Sequence, residues 1–499
     1  MLLAGLAGCA AMLTACTASG PGPQPRPTGP GATPTRPNIV FVLTDDLSWN
    51  LMPFMPHVAA LQSAGMTFTN YTVTDSLCCP SRASIFTGDF PHDTHVTSNA
   101  PPAGGDVKFR RTGDDRSTFA TSLAAQGYRT VFMGKYLNGY QPDPRTGLMS
   151  TLLGPYVPPG WSTWNAVGGG GYAAFDYSIA DGHDVTHYGT GTQDYLNTVL
   201  QQRGVDAIRS AARSRTPFLL EVATFSPHSP YVPAPSDVGA FHGLPAPRTA
   251  AYGRMPRPAP HWLDGHLPLD AGANRKIDRD FEKRVETVQS VDRMIGALWR
   301  TVRAQGQAAN TVFVFSSDNG FHMGEYTLRN GKQTAFDTDI RVPLVITGPG
   351  IAPGSTNSDV TENIDLRPTF DEFAAAATPA SVDGRSLVPL LHGQRSAWRT
   401  LAGIEHHNPP RSGYDPDRQT GLQGIPPTYA AIRSSRWIYV RYVTGDREYY
   451  DLSHDPQELH NLGPGLSPRR RVTLDRMLAR LVGCHGAAAC WAAGRPTGG

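Results

Sequence analysis

The chain has 499 residues, enough for one large α/β domain with a smaller appendage, and length alone forces no more. Lys and Arg number 44 against 42 Asp and Glu, so the formal net charge is only +2; no long-range field draws the molecule onto nucleic acid, and no nucleic-acid partner is expected. Charged residues make up 17% while Gly (52) and Pro (44) are plentiful, which excludes a solvated disordered chain and fits an ordered protein with many loops.

Residues 1–16 (MLLAGLAGCAAMLTAC) are small and apolar, too short to span a bilayer as a helix, and resemble the apolar region of an export signal. Leu13-Thr14-Ala15-Cys16 resembles a bacterial lipobox, whose cysteine is lipidated and becomes the new N-terminus. Leu6-Ala7-Gly8-Cys9 fits the same pattern but leaves almost no apolar region before it, so Cys16 is the expected anchor. Residues 17–36 are mostly Pro, Gly, Thr and Ser without apolar periodicity and read as an extended linker. The expectation is an exported protein, held at the cell surface as a lipoprotein or otherwise secreted, touching membrane only through that lipid.

Residues 38–43 (NIVFVL), a short β-rich apolar run behind a proline, predict a fully buried strand that delivers Asp45 and Asp46 at its end. Similar runs stand at 129–133 before Gly134-Lys135, at 217–224 before Ser226-Pro227-His228, and at 311–315 before Ser317-Asp318-Asn319-Gly320. A further buried strand is expected at 342–347. Helical patterns at 55–64, 117–126 and 278–304 alternate with these runs, which predicts a largely parallel, helix-covered α/β sheet; ligand sites lie at such strand ends. Residues 139–189, rich in Gly, Tyr and Trp, are expected to be loop-dominated and to line a substrate pocket. After about residue 380 the rhythm changes: 429–443 and 448–452 read as antiparallel strands and 468–482 as a helix. A main domain over 37–380 and a C-terminal subdomain over 381–499 are therefore expected.

Of six cysteines, Cys9 and Cys16 lie in the leader, and Cys484 and Cys490 close a short loop suited to a disulfide in an oxidising compartment. Cys78 and Cys79 are adjacent, with Cα atoms about 3.8 Å apart, below the roughly 4.4–6.8 Å of a disulfide, so they do not bridge each other without strain. Two small buried hydrophobes would be the ordinary explanation. The residues that follow Cys78 point to chemistry instead.

Leu77-Cys78-Cys79-Pro80-Ser81-Arg82-Ala83-Ser84-Ile85-Phe86-Thr87-Gly88 resembles the type I sulfatase signature, Cys-x-Pro-Ser-Arg followed at a fixed distance by Thr-Gly. In that family a modifying enzyme oxidises the cysteine to formylglycine (3-oxoalanine). The chemistry suits the residue type: one hydroxyl of a hydrated aldehyde attacks sulfur, and the second expels sulfate by collapse to the aldehyde. The segment after Pro80 reads as a helix start, which would place the nucleophile at a positive helix N-terminus, with Arg82 adding a fixed charge. Asp45, Asp46, Asp318 and Asn319 supply only oxygen, the set preferred by Ca²⁺, with Mg²⁺ as the other candidate, and the resemblance implies that they bind the metal together with Cys78 as formylglycine. Taken alone, an Asp-Asp pair after a strand is usually a cap or a solvated turn.

Lys135, His228 and Lys332 match sulfatase motifs and are expected around the sulfate, His228 or Lys332 protonating the departing alcohol oxygen. Many arylsulfatases carry a histidine two residues after the Gly-Lys lysine; here that position is Leu137, followed by Asn138, so Asn138 or His92 would fill its role. His92, His95, His322 and Asp337 are candidates for the substrate side.

The resemblance runs from about Arg36 to the end of the chain and is closest to the N-acetylglucosamine-6-sulfatase branch. It implies an alkaline-phosphatase-like fold, a mixed but mostly parallel sheet covered by helices plus a smaller C-terminal α+β part with an antiparallel sheet. It also implies a sulfated small molecule or glycan as substrate, such as 6-sulfated N-acetylglucosamine or an aryl sulfate, and a formylglycine-generating enzyme as maturation partner. Two rivals are a phosphonate or phosphate ester hydrolase of the same superfamily and a surface protein that binds sulfated glycans without cleaving them.

Overall fold

The computed structural model describes residues 36–496, apart from 143–154, 169, 395–396, 409–414 and 416–417. The leader and most of the linker expected before residue 36 lie outside the described residues. The run NIVFVLT forms a strand over Asn38–Thr44 with every residue buried. It lies between two parallel neighbours, Phe218–Ala223 and Thr311–Ser317. Arg129–Gly134 continues the parallel set beyond Phe218–Ala223, and Thr163–Ala166 closes that edge. On the other side, Leu344–Thr347 runs antiparallel to Thr311–Ser317, followed by Met66–Phe68 and Ser355–Asn357.

This eight-stranded sheet is buried on both faces, which is why its central strands read as unbroken apolar runs rather than as alternations. Ile39, Phe41 and Leu43 point into one core, and Val40 and Val42 into the other. Each such side chain contributes roughly 1.5–3 kcal/mol on burial. The second core is closed by the long helix Ala271–Ala304, whose Ile277, Phe281, Val285, Val288, Ile295 and Leu298 recur at helical spacing. That helix starts earlier than its apolar pattern, because the Asp270 side chain accepts a hydrogen bond from Ala273 N at 2.7 Å and caps it.

Within 139–189 the described residues include the edge strand Thr163–Ala166 and a hairpin of Tyr177–Asp181 with Asp184–Tyr188, so the segment is less loop-like than its composition. The strands are too short for periodicity to reveal them.

The C-terminal part is an antiparallel sheet of Ala402–His406, Tyr429–Arg433, Trp437–Tyr442 and Arg447–Asp451. The single run expected at 429–443 is two strands joined at Ser434, where Ser434 N bonds Trp437 O at 2.8 Å. Helix Pro468–Leu481 packs Leu474, Leu478 and Leu481 against Ile432 and Tyr439 on one face of this sheet. The other face, with Ile404, Ala431, Ile438 and Val440, joins the core of the large sheet. The chain from Arg36 onward is one compact unit. The architecture is the mixed, mostly parallel, helix-covered sheet with a smaller antiparallel sheet that the resemblance implies.

Two residues expected on the substrate side instead fasten these parts together. Asp337 accepts from Arg433 through two hydrogen bonds, Nε to Oδ1 at 2.7 Å and Nη2 to Oδ2 at 2.8 Å, and from Arg341 Nε at 3.0 Å. Burial alone would raise the Asp337 pKa, but Arg433 and Arg341 outweigh it and hold it down at about 2. His92 stacks on Phe90 at 5.3 Å, bonds Glu405 through Nδ1, and lies 2.7 Å from Cys484 O through Nε2. Cys484 is in turn joined to Cys490 by a disulfide. Both residues bridge distant segments, so spacing along the chain could not distinguish them from cleft residues.

Asp337→Ala is expected to cost roughly 3–5 kcal/mol, because it leaves the buried Arg433 guanidinium without its carboxylate; denaturant unfolding with an unchanged slope and a lowered midpoint is the expected result. Burial would lower the His92 pKa, yet the Glu405 hydrogen bond and charge push it up to about 9. The folded value lies above the unfolded value of about 6.5, so this contribution is complete below about pH 6.5 and is lost as pH rises through about 9. Thermal unfolding followed from about pH 6 to about pH 10 should therefore show a smaller alkaline loss in His92→Gln than in the unsubstituted protein.

Candidate active site

Four adjacent parallel strands bring their C-terminal ends together. Thr44 pairs with Ser317, so Asp45 and Asp318 leave the sheet side by side, and Asp318 N donates to Thr44 O at 3.0 Å. On the opposite flank of Asn38–Thr44, the strand Phe218–Ala223 runs out toward His228. Next to that strand, Arg129–Gly134 delivers Lys135, whose N–H bonds Ala223 O at 2.8 Å. Gly134 has φ +103°, and a Cβ there would stand 1.8 Å from Ala223 O, so only glycine allows this approach. Helix Cys78–Thr87 completes the cluster from above the strand ends. It begins at Cys78 rather than after Pro80; Pro80 sits in the first turn, where an amide N–H has no partner within the helix.

Cys78 Sγ donates to Asp45 Oδ1 at 3.1 Å and accepts from Lys332 Nζ at 2.8 Å. Lys332 Nζ also donates to Asp46 Oδ1 at 2.7 Å, and Lys135 Nζ donates to Asp45 Oδ2 at 2.5 Å. Asn319 Nδ2 reaches Asp46 Oδ1 at 2.7 Å, and Asp46 N donates to Asp318 Oδ1 at 3.2 Å. Arg82 spans the floor, with Nε on Asp318 Oδ2 and Nη1 on Lys135 O, both at 2.7 Å. His228 Nε2 stands 3.6 Å from Asp46 Oδ2. All of these side chains are buried.

The charges are tightly coupled. Burial alone would raise the Asp45 pKa, but Lys135, then His228, Arg82 and Lys332, hold it well below the usual carboxylate range. Asp318 is pushed up to about 6, first by burial and then by the charge of Asp45. Asp45, Asp46, Cys78 and His228 offer ligand atoms within 4.8 Å of one another. The Asn319 Oδ1 is buried without a hydrogen-bond partner. Three carboxylates and an unpartnered amide oxygen fit a hard divalent cation.

A cavity of about 430 Å³ opens beside Asp46, His228 and Lys332 and is lined further by Lys276, Asp280 and Arg329. A second, of about 230 Å³, lies beside Lys135 and Asn138, where Gly168, Gly171 and Tyr172 of the Gly- and Tyr-rich segment form the wall. His322 is not on either cavity. It is fully buried, with Nδ1 3.0 Å from both oxygens of Asp339 and Nε2 2.8 Å from Gln423 O. Its backbone pairs with Gly331, so it braces the turn that carries Lys332. His92 lies in the contact with the tail described above, and His95 is an exposed residue at the end of the short turn Pro91–Thr94.

Two residues of the site are not evident from motifs. Arg284 is fully buried, donates to Asp46 O at 2.5 Å, and packs on Phe321 at 4.3 Å. Its signal is a charge placed on the apolar stripe of Ala271–Ala304, beside Val285 and one turn from Phe281 and Val288. The Tyr172 ring lies 4.7 Å from the His228 ring and 5.0 Å from Lys135 Nζ. No local pattern marks it.

The Sulfatase family model matches residues 37–374, and the model of the N-sulphoglucosamine sulphohydrolase C-terminal region matches residues 324–465. The chain is 32% identical over 486 residues to the N-acetylglucosamine-6-sulfatase of Homo sapiens, covering 92% of this chain and 86% of that protein. Among solved structures, one of a protein in complex with its substrate D-glucosamine-2-N,6-O-disulfate superposes with a TM-score of 0.72 at 23% identity, covering 89% of this chain and 97% of that one. The phosphonate monoester hydrolase of Agrobacterium radiobacter shares the fold at a TM-score of 0.66 and 22% identity, covering 88% and 94%. A strand-end cluster of acids around a buried cysteine, on this fold and with these relatives, makes the chain a member of the sulfatase family and an enzyme that hydrolyses sulfate esters.

Proposed function

We propose that hydrolysis runs through a formylglycine made from Cys78, beside a divalent cation, and that the substrate carries a 6-sulfated glucosamine. The carrying observation is the position of Cys78 Sγ: at a helix N-terminus, 3.1 Å from Asp45 and 2.8 Å from Lys332. Cys78, once converted to hydrated formylglycine, would offer one hydroxyl as the nucleophile toward sulfur and a second whose deprotonation would release sulfate. Asp45, Asp46, Asp318 and Asn319 would hold the cation, Ca²⁺ by preference for an all-oxygen set or Mg²⁺, and the bound ion would polarise the sulfate.

The chain's own cations do the rest. Arg82 keeps Asp318 oriented, Lys332 contacts Cys78, and Lys135 pairs with Asp45 beside it, so negative charge developing on sulfate oxygens is met by groups already in place. His228 and Lys332 face the larger cavity, where the alcohol must leave, and are the groups placed to give it a proton. Lys276, Arg329 and Asp280 on that cavity suit a charged, hydroxyl-rich sugar. The human relative acts on N-acetylglucosamine 6-sulfate by its name, which supports the same substrate here.

Maturation needs a formylglycine-generating enzyme, and because Cys78 and Arg82 are buried, it must reach them before the chain folds. The Cys484–Cys490 disulfide and the apolar leader support export. Among the described residues no helix is long and apolar enough to cross a membrane. Anchoring at Cys16 accordingly rests on the lipobox-like sequence.

Mass spectrometry of the peptide ending at Arg82, from protein matured in its native host, should find an aldehyde in place of the Cys78 thiol. A thiol in active protein overturns the mechanism, and a thiol in inactive protein favours the glycan-binding rival. Cys78→Ala should lower turnover of N-acetylglucosamine 6-sulfate by at least about a thousandfold. Hydrolysis of a phenylphosphonate ester faster than of that sugar sulfate would move the assignment to the phosphonate branch. Asp318→Asn should lose bound metal, measured by elemental analysis, and lose activity by roughly 10²–10³-fold. Full metal content would remove Asp318 from the ligand set.

A further inference from the structure

We propose that a third cavity, separated from the reaction cleft by the wall 327–329 and Gly421, binds a second sulfated sugar of the same glycan chain; the proposal rests on the substrate reading above. The cavity has a volume of about 510 Å³ and lies between the loop 253–268 and the segment Leu459–His460. That volume exceeds the needs of a lone ion and falls in the range of small-ligand sites, roughly 300–1,000 Å³. Its walls are pinned by backbone bonds, Arg257 N to Leu459 O at 2.8 Å, Asn461 N to Arg257 O at 3.0 Å and Gly253 N to Gly324 O at 2.8 Å.

The ionisable side chains on this cavity are Arg254, Arg257, His266 and His460, and no carboxylate lines it. A chain with nearly balanced charge has no reason to gather only bases in one concavity. Arg254 and Arg257 are exposed, and neither guanidinium takes a hydrogen bond or ion pair among the described residues. His460 has Asp455 3.5 Å away, a carboxylate that is not on the cavity lining, and Met255 and Leu459 give the cavity apolar surface. Thr327 lines the cavity and is 7% exposed, its Oγ1 buried behind that surface. Two guanidinium forks are the groups that recognise a tetrahedral oxyanion, and the apolar surface suits the face of a sugar ring.

The cavity neighbours the reaction cleft across that wall. Thr327 lines one and Arg329 the other, and two residues span at most roughly 7 Å. The shared wall is held by Arg329 N on Leu422 O at 2.8 Å, and His266 Nε2 lies 2.7 Å from Gly421 O. Thr420 and Gln423, on either side of that turn, line the reaction cleft. Arg329 and Arg418 stand on the cleft and Arg254 and Arg257 on the neighbouring cavity, so both present cations to a polyanionic chain.

The double variant Arg254→Ser/Arg257→Ser alters two exposed side chains outside the catalytic cluster. With a heparin-derived hexasaccharide its KM should rise roughly tenfold at unchanged kcat, while the monosaccharide N-acetylglucosamine 6-sulfate keeps both constants. An unchanged KM for the hexasaccharide, or an equal loss with both substrates, overturns the proposal. If no 6-sulfated glucosamine is hydrolysed, the substrate reading falls separately. Calorimetric titration of Cys78→Ala protein with the same hexasaccharide then decides: roughly tenfold weaker binding on adding the double substitution supports the site, and equal binding rejects it.

Discussion

Three carboxylates, Asp45, Asp46 and Asp318, are buried together at the ends of neighbouring strands, and the rest of the structure answers that concentration of charge. At an effective dielectric of about 20, each pair of like charges about 4 Å apart repels by about 4 kcal/mol. The fold meets this with Lys135, Lys332 and Arg82, each from a different part of the chain, and with Arg284 on the backbone of Asp46. Even so, Asp318 stays pushed up to about 6, by its burial and by the charge of Asp45. The same arrangement that costs stability in the folded protein is a set of groups that could hold a metal ion.

That requirement explains features remote from the chemistry. His322 uses both ring nitrogens to fix the turn leading to Lys332, and so governs where a cation stands without reaching the cleft. Asn363 Nδ2 reaches Ser81 Oγ at 3.0 Å and holds the helix that carries Cys78 against the segment after the main sheet. The C-terminal sheet shares the large core and is tied on by Arg433 to Asp337 and by His92 to the tail, so the side of the cleft near residues 418–423 is supported by the C-terminal part. Sulfate chemistry sits on strand ends, which are rigid; the surfaces that meet the rest of a substrate are built from loops.

Most of the sheet was legible because strands buried on both faces must be apolar throughout, as in NIVFVL and TVFVF. The same reasoning found the acids, since polar residues directly after such strands have a reason to be there. It failed for Ala402–His406 and Thr163–Ala166, which are short and mix small or polar residues with apolar ones. His92, His322 and Asp337 looked like site residues because conspicuous polar side chains near a motif look alike whether they face substrate or hold the fold. Distinguishing them takes knowledge of what lies opposite, and their partners Glu405, Gln423 and Arg433 are far along the chain.

By itself the sequence determined the reaction class and proposed its reactive residue, because the signature around Cys78 and the acids after the strands are local patterns that the chemistry demands side by side. It also determined the α/β class and the tail disulfide. Only the tertiary structure decided how the expected cations pair with Cys78 and the acids, that Arg284 and Tyr172 belong to the site, and that a basic cavity lies beyond the wall at 327–329. These depend on distances between segments that are hundreds of residues apart, such as Lys332 against Cys78, and the local preferences of the chain carry no record of them.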